Sequence, residues 1–281
     1  MALVPACTLL VPTDNLADSP PSTPADAEVE GQPTGDASAG ADAPASPYEA
    51  LILSDGPLAY WRMGISSGRI VPDRTGRGND LVLQGTGHKL GVPGAIAGDV
   101  DGAIEFDGVS SRAIATNARA FDFEDRHPFS IECWFLRRPR ASGPEYQYLV
   151  NSSIGEGGSR TGYALWIAPP EGGKSDPHSG FEWMTSGGDL QVNGALPPAD
   201  AFVHYVAVFD GTKAILYVDG VSDFESLTGP GQQTARVTDF VIGGDYDGSE
   251  CVSGVIDEVA IYDRALSPAE VARHLSAGRG L

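Results

Sequence analysis

The sequence is poor in positive charge. Its 281 residues hold 18 Lys and Arg against 38 Asp and Glu, a net charge of −20. A surface that grips phosphates needs lysine and arginine, so this balance excludes nucleic acid as a partner. It also excludes adsorption to an anionic membrane surface. No apolar run is long enough to span a bilayer as a helix. Cysteine is scarce, with 3 in the chain, which allows one pair and leaves one over. Catalytic signatures are missing too. None of the 5 histidines stands in a Gly-x-Ser-x-Gly or His-Glu-x-x-His context. No phosphate-cradling loop or zinc-ligand spacing occurs.

What is abundant is glycine, at 36 residues, and proline, at 21. Both break regular elements, so the chain reads as short strands joined by many turns. The organising stretch is G-V-I-D-E-V-A-I-Y-D-R-A-L-S-P-A-E, from Gly254 to Glu270. Val255, Ile256, Val259, Ile261 and Tyr262 have the composition of a buried strand. Asp257 and Glu258 interrupt it, and buried carboxylates are costly unless paired, hydrogen-bonded or metal-bound. Ser267, Pro268 and Glu270 then fit a capping box with proline at the first helical position, and Leu266 and Val271 fit a hydrophobic staple. A strand followed by a short capped helix closes the fold.

The rest of the chain supplies strands for it. Residues 1–47 are rich in Asp, Glu, Ala, Pro, Ser and Thr, with no lysine, arginine or aromatic residue. Such a tract cannot bury enough apolar surface to offset its ordering entropy, so it reads as a disordered acidic tether. Order is expected over 48–281. Ser46-Pro47-Tyr48-Glu49 forms a second capping box and opens one helical turn. Strands follow at Leu58–Met63, Leu81–Leu83, Ala103–Phe106, Arg112–Thr116 and Phe129–Leu136. Others are expected at Tyr148–Asn151, Tyr163–Ile167, Phe181–Thr185, His204–Phe209 and Ala214–Val218. Asp210-Gly211 and Asp219-Gly220 mark hairpin turns. About a dozen strands at this spacing predict one all-β sandwich.

The order of motifs resembles the LamG-like jellyroll domains of the concanavalin A-like lectin/glucanase superfamily. The resemblance is carried by A-Y-W-R-M from Ala59, D-R-T-G-R-G-N-D from Asp73, I-E-F-D-G from Ile104 and F-S-I-E-C-W-F from Phe129. It continues through G-Y-A-L-W-I from Gly162, V-H-Y-V-A-V-F-D-G from Val203 and L-Y-V-D-G from Leu216 to the closing stretch. It implies a jellyroll sandwich over about 48–281. It leaves function open, because this fold hosts lectins, adhesion modules, hydrolases and spacers. Separately, L-V-P-A-C resembles a bacterial lipobox. That implies lipidation at Cys7 and a secreted or surface-anchored protein whose only membrane contact is that anchor. The other reading of Cys7 is a free thiol in a tail.

Four groups of residues are candidates for chemistry. Asp73, Asn79, Asp107 and Asp257 offer hard oxygens on loops and could hold calcium; the alternative is that they cap turns. Tyr146, Trp166 and Trp183 lie near glycine-rich loops and could stack on a sugar; the alternative is that they fill the core. Cys133 sits mid-strand and Cys251 just before the closing strand, and an exported location favours a disulfide between them over two buried thiols. His204 is expected to pack or hydrogen-bond rather than catalyse. Hydrolases on this fold carry carboxylates at alternate positions of one strand, and neither Glu-x-Asp-x-x-Glu nor Glu-x-Asp-x-Glu occurs. The expectation is a non-enzymatic, monomeric recognition module for a glycan or a surface protein. A glycan hydrolase and a passive spacer are the competing readings.

Overall fold

Alternation of apolar and polar residues puts one face of a strand in a core, and a strand without alternation must be covered on both faces. Both kinds occur here. The computed structural model describes residues 46–281, apart from 116, 124–125, 156–159, 186–187 and 228–238. The expected tether and Cys7 lie outside the described residues. The described ones fall in one compact unit, Asp42–Leu281.

The chain opens with helix α1 (Pro47–Ser54), capped by the Ser46 hydroxyl on the Glu49 amide. Strands β1 (Ala59–Trp61), β2 (Ile70–Val71), β3 (Leu81–Gln84) and β4 (Lys89–Pro93) follow. Next come β5 (Gly102–Asp107), β6 (Arg112–Ala115), β7 (Phe129–Arg137) and β8 (Gln147–Ile154). Then β9 (Thr161–Ala168), β10 (His178–Thr185), β11 (Gly188–Ala195) and β12 (Phe202–Phe209). The last strands are β13 (Lys213–Val218), β14 (Val221–Leu227), β15 (Val241–Ile242) and β16 (Ser253–Tyr262), before helix α2 (Pro268–Gly278).

Two antiparallel sheets result. The first has the order β14-β13-β12-β7-β16-β5-β4, with β1 paired to β16 beside this path. The second has the order β11-β10-β9-β8-β15-β6-β3-β2. This is the expected all-β sandwich with a short C-terminal helix. The core between the sheets takes Phe129, Ile131, Cys133 and Phe135 from β7, the face that their alternation assigns them. Trp61, Phe121 and Phe240 pack together inside it, with Trp61 and Phe240 stacked at 5.6 Å.

The closing strand lies inside its sheet, pairing with β1, β5 and β7. It carries a bulge. From Asp257 to Ala260 it advances three residues while β7 advances two, from Trp134 to Glu132. Glu258 takes φ +51° there. The extra residue keeps Ile256, Val259 and Ile261 all facing the core. The two acidic residues between them are left for the opposite face.

That opposite face is buried as well. Tyr48 and Ile52 of α1 and Val271 of α2 cover Tyr60, Trp134, Val206, Ala260 and Tyr262. Helix α2 has the full capping box, with Ser267 and Glu270 bonded reciprocally, and Leu266 and Val271 are both buried. The Asp219-Gly220 turn joins β13 to β14 with φ +49° and +76°, the two positive angles a type I′ hairpin requires.

The expected disulfide is not formed, and Cys133 and Cys251 are free buried thiols. Gly254 lies opposite Arg137. Cys251 therefore falls beyond Arg137 while Cys133 lies four residues before it, a separation of about 20 Å along the strands. A disulfide needs Cα atoms within about 7 Å.

Replacing Ser267 with Ala removes one capping hydroxyl. It is expected to cost about 1 kcal/mol and to lower Tm by about 3 °C in a thermal melt of the domain.

Candidate functional site

The outer face of the second sheet gathers side chains that a core does not need. Along β9 the residues Tyr163, Leu165 and Ile167 enter the core, so Ala164, Trp166 and Ala168 face outward. Along β10 the residues Phe181 and Trp183 enter the core, so Gly180, Glu182 and Met184 face outward. The strand register then builds rows across the sheet. Asn193, Gly180, Trp166 and Tyr148 form one row. Gln191, Glu182, Ala164 and Asn151 form the next. Gly180 is required here, because a Cβ at that position would overlap the Trp166 ring.

The aromatic part of this face is tightly held. Tyr146 meets Trp166 edge-on, with ring centroids 5.0 Å apart, and His178 meets it at 5.3 Å. Lys174 lies 4.6 Å over the Tyr146 ring and donates to its hydroxyl at 2.9 Å. Arg160 lies 4.9 Å over Tyr148 and pairs with Asp245 at 2.7 Å. Trp166 is buried, and its indole N–H has no acceptor among the described residues. Beside these rings lie exposed Gln191, Asn193 and Asp189 and half-buried Glu182. Burial pushes the Glu182 carboxyl up, Asp189 adds to the rise, and Arg160 opposes it.

Tyr146 and Trp166, two of the three expected ligand residues, are thus brought together. Trp183 is not with them. Its ring packs in the core, 4.0 Å from the Phe209 centroid and edge-on to Phe129, because it alternates with Glu182 on one strand. The sequence reading also missed β11, although D-L-Q-V-N alternates as an exposed strand should, and so missed Gln191 and Asn193.

Of the four expected calcium residues, Asp73 and Asn79 are in contact, while Asp107 and Asp257 each have other partners. Asp73 Oδ1 accepts from the Tyr60 and Thr75 amides and the Thr75 hydroxyl, and its Oδ2 accepts from the Asn79 amide. Asp107 accepts from the amides of Val109, Ser110 and Ser111 and from both serine hydroxyls. Burial opposes those bonds, but they hold its carboxyl well below the usual range. Asp257 accepts from the Ala95 amide at 2.7 Å through Oδ2. Among the described residues no group of three or more His, Cys, Asp or Glu is arranged to hold a metal ion.

Glu132, which stands alone in the sequence, sits at the centre of a buried network under the two helices. It accepts from His204 Nε2 at 2.7 Å, His274 Nδ1 at 2.9 Å, Tyr262 at 3.0 Å and Tyr48 at 3.3 Å. His274 Nε2 reaches Asp55 at 2.7 Å. His204 thus has the hydrogen-bonding role expected of it. Elsewhere, Leu58, Ala120, Asp122, Phe123, His127 and Asp263 line a cleft of about 310 Å³ at one end of the sandwich. It holds none of the residues singled out in the sequence.

Known proteins share this architecture. A laminin G-type family model, described as the concanavalin A-like lectin/glucanases superfamily, matches residues 107–272. The chain belongs to that superfamily. No curated protein sequence matches it. Domain 4 of the extracellular arabinanase AbnA from Geobacillus stearothermophilus, solved with arabinotriose, is similar in structure. The TM-score is 0.50 and the identity 18%, over 78% of this chain and 98% of that domain. The binding domain of botulinum neurotoxin serotype G has a TM-score of 0.59 and 12% identity, over 78% of this chain and 50% of that one. A Trypanosoma rangeli sialidase mutant with trans-sialidase activity gives 0.53 and 16%, over 80% and 33%. This chain therefore spans about half of the toxin domain and a third of the sialidase. At such identities the likeness is one of fold.

The Glu132 network makes stability depend on pH. Burial pushes the Glu132 carboxyl up, but the charge and hydrogen bonds of His274 and the His204 contact outweigh it and the net shift is downward from 4.5. Burial pushes the His274 imidazolium down, but Glu132 and Asp55 reverse this and raise it above 6.5. A lowered acid stabilises above its unfolded value, and a raised base stabilises below its unfolded value. Both contributions are complete between 4.5 and 6.5. The Tm difference between wild type and His274→Gln is expected to be largest in that window. It should shrink as pH rises above 6.5 and through the raised His274 value, and a difference that is flat with pH would contradict the assignment.

Proposed function

We propose that the chain is a non-catalytic glycan-recognition module whose ligand surface is the outer face of β8 to β11. The observation that supports this most is the pair of cross-strand rows. They set exposed Gln191 and Asn193 and half-buried Glu182 beside the Trp166–Tyr146 aromatic pair. Amides and a carboxylate offer donors and acceptors for vicinal hydroxyls, and an aromatic rim offers a face for C–H groups. Tyr146 is the partly exposed member of that rim, while Trp166 supports it from below. The similar arabinanase domain was solved with an arabinose trisaccharide, which favours short neutral oligosaccharides as the first ligands to try.

A hydrolytic role is less well supported. On this face Asp245 is already paired with Arg160; Glu182 has Asp189, its diagonal neighbour on β11, as a second carboxylate, so the hydrolytic reading rests on that pair alone. The location fits an exported or surface protein, as the superfamily suggests. Among the described residues no helix is long and apolar enough to cross a membrane.

A panel of arabino-, xylo- and sialyl-oligosaccharides, followed by titration calorimetry on the best, tests this reading. A Gln191→Ala, Asn193→Ala double variant is expected to weaken binding by about 10-fold while leaving Tm unchanged. No new reducing ends should appear on long incubation. Unaltered affinity in the double variant would move the ligand elsewhere, and released reducing ends would reinstate the hydrolase.

A further inference from the structure

The outer face of the β10–β11 hairpin carries two carboxylates with no cation bonded to either. Glu182 lies directly across from Gln191, and Asp189 lies across from Met184. Leu190 and Val192 enter the core, so Asp189, Gln191 and Asn193 share the outer face with Glu182. Diagonal neighbours such as Glu182 and Asp189 have Cβ atoms about 7 Å apart. Asp189 is exposed and Glu182 is half-buried. Neither carboxylate has a hydrogen-bond or ion-pair partner among the described residues.

The cations of this face are committed elsewhere. Arg160 gives Nη2 to the two Asp245 oxygens at 2.8 and 2.7 Å, and Nε to the Ser153 hydroxyl at 2.7 Å. Lys174 pairs with Glu145 and donates to the Tyr146 hydroxyl. The His178 ring meets the Asp176 carbonyl through Nδ1 at 2.6 Å. Burial and Asp189 both disfavour charge on Glu182, and Arg160 opposes them. A donor on the same face also lacks a partner. The Trp166 carbons Cζ2, Cε2 and Cη2 lie closest to the Gly180 position. The indole N–H next to Cε2 therefore lies over β10, the strand of Glu182, and has no acceptor among the described residues.

We propose that this face selects glycans that carry a primary amine, with the ammonium held between Glu182 and Asp189. The inference rests on the glycan-recognition reading above and names the ligand class. An ammonium is a compact charge with three donors, so it can bond two carboxylates at once. Gln191 lies beside both carboxylates and, with Asn193, bonds neighbouring hydroxyls. A hydroxyl oxygen is the type of acceptor that the Trp166 N–H lacks. The net charge of −20 attracts cationic ligands and repels acidic sugars. N-acetylation removes the charge of the amine, and with it the basis of the selection.

The test is titration calorimetry of the full chain at low salt, at a pH where the amines are charged. The ligands are a glucosamine trisaccharide, its N-acetylated form, arabinotriose and a lysine tripeptide. The glucosamine trisaccharide is expected to bind about 10-fold tighter than its N-acetylated form. That ratio should shrink in high salt. Glu182→Gln and Asp189→Asn should each reduce it, and the double variant should abolish it. Thermal melts of the variants check that the hairpin stays folded. Equal affinities in the wild type overturn the inference and leave the glycan reading standing. A preference that persists in the double variant overturns it too, since overall charge would then be its source. So does a lysine tripeptide that binds as tightly as the amine sugar, because charge alone would then be recognised. Release of reducing ends that stops in either variant overturns it by making the pair hydrolytic. If no sugar binds, the inference and the glycan reading fall together.

Discussion

The bulge in β16 is the constraint on which the rest of the structure depends. Strand β16 pairs with β1, β5 and β7, so any change of register in it would propagate through the first sheet. Its sequence places two acidic residues between apolar ones that must all face the core. A regular strand would carry Glu258 into the hydrophobic interior, at a cost of several kcal/mol. The extra residue turns it outward beside Asp257 instead. The cost of burying two carboxylates on that face is then met by Arg62, the Tyr60 hydroxyl and the Ala95 amide.

That solution explains why the outer face of the first sheet is closed. A face holding ionised groups and tyrosines could lie open to water. Here both helices cover it, and the polar groups are satisfied from within. Glu132 does this for the region under α2, as Arg62 does for the region under α1. Each network ties a chain terminus of the described domain to the central strands. The first sheet is thereby occupied with holding the fold together, and the face of the second sheet over β8 to β11 is the one proposed as the ligand surface.

On that second face the chemistry is of another kind. Its aromatic side chains are braced by cations, with Lys174 on Tyr146 and Arg160 on Tyr148. Bracing of this sort fixes ring orientation, and preorganised rings lose less entropy in any binding event. Gly180 makes room for the Trp166 ring on this face.

Much of this was legible in the linear order of residues. The β-branched runs, the Asp-Gly turns, the full capping box of α2, the Ser46 cap of α1 (whose Glu49 pairs with Arg62 and Arg74 instead of closing a box) and the alternation in β7 specify strands, hairpins and helix starts. These are local properties with periods of two or a few residues, and so the sandwich was readable from them. The alternating D-L-Q-V-N of β11 was equally local and was overlooked. What could not be read locally is which strands neighbour one another. Cys133 and Cys251 look like a pair until the register of β7 against β16 separates them. Trp183 and Trp166 look alike until β9 and β10 turn one inward and the other outward. Glu132 looks solitary, yet it acquires His204 and His274 from positions 72 and 142 residues away. The sequence by itself determined the class of fold and the elements that close it, because hydrophobic periodicity and capping act over a few residues. Only the tertiary structure decided which carboxylates share a cation and which aromatics share a face, because those contacts depend on strand register across the whole sheet.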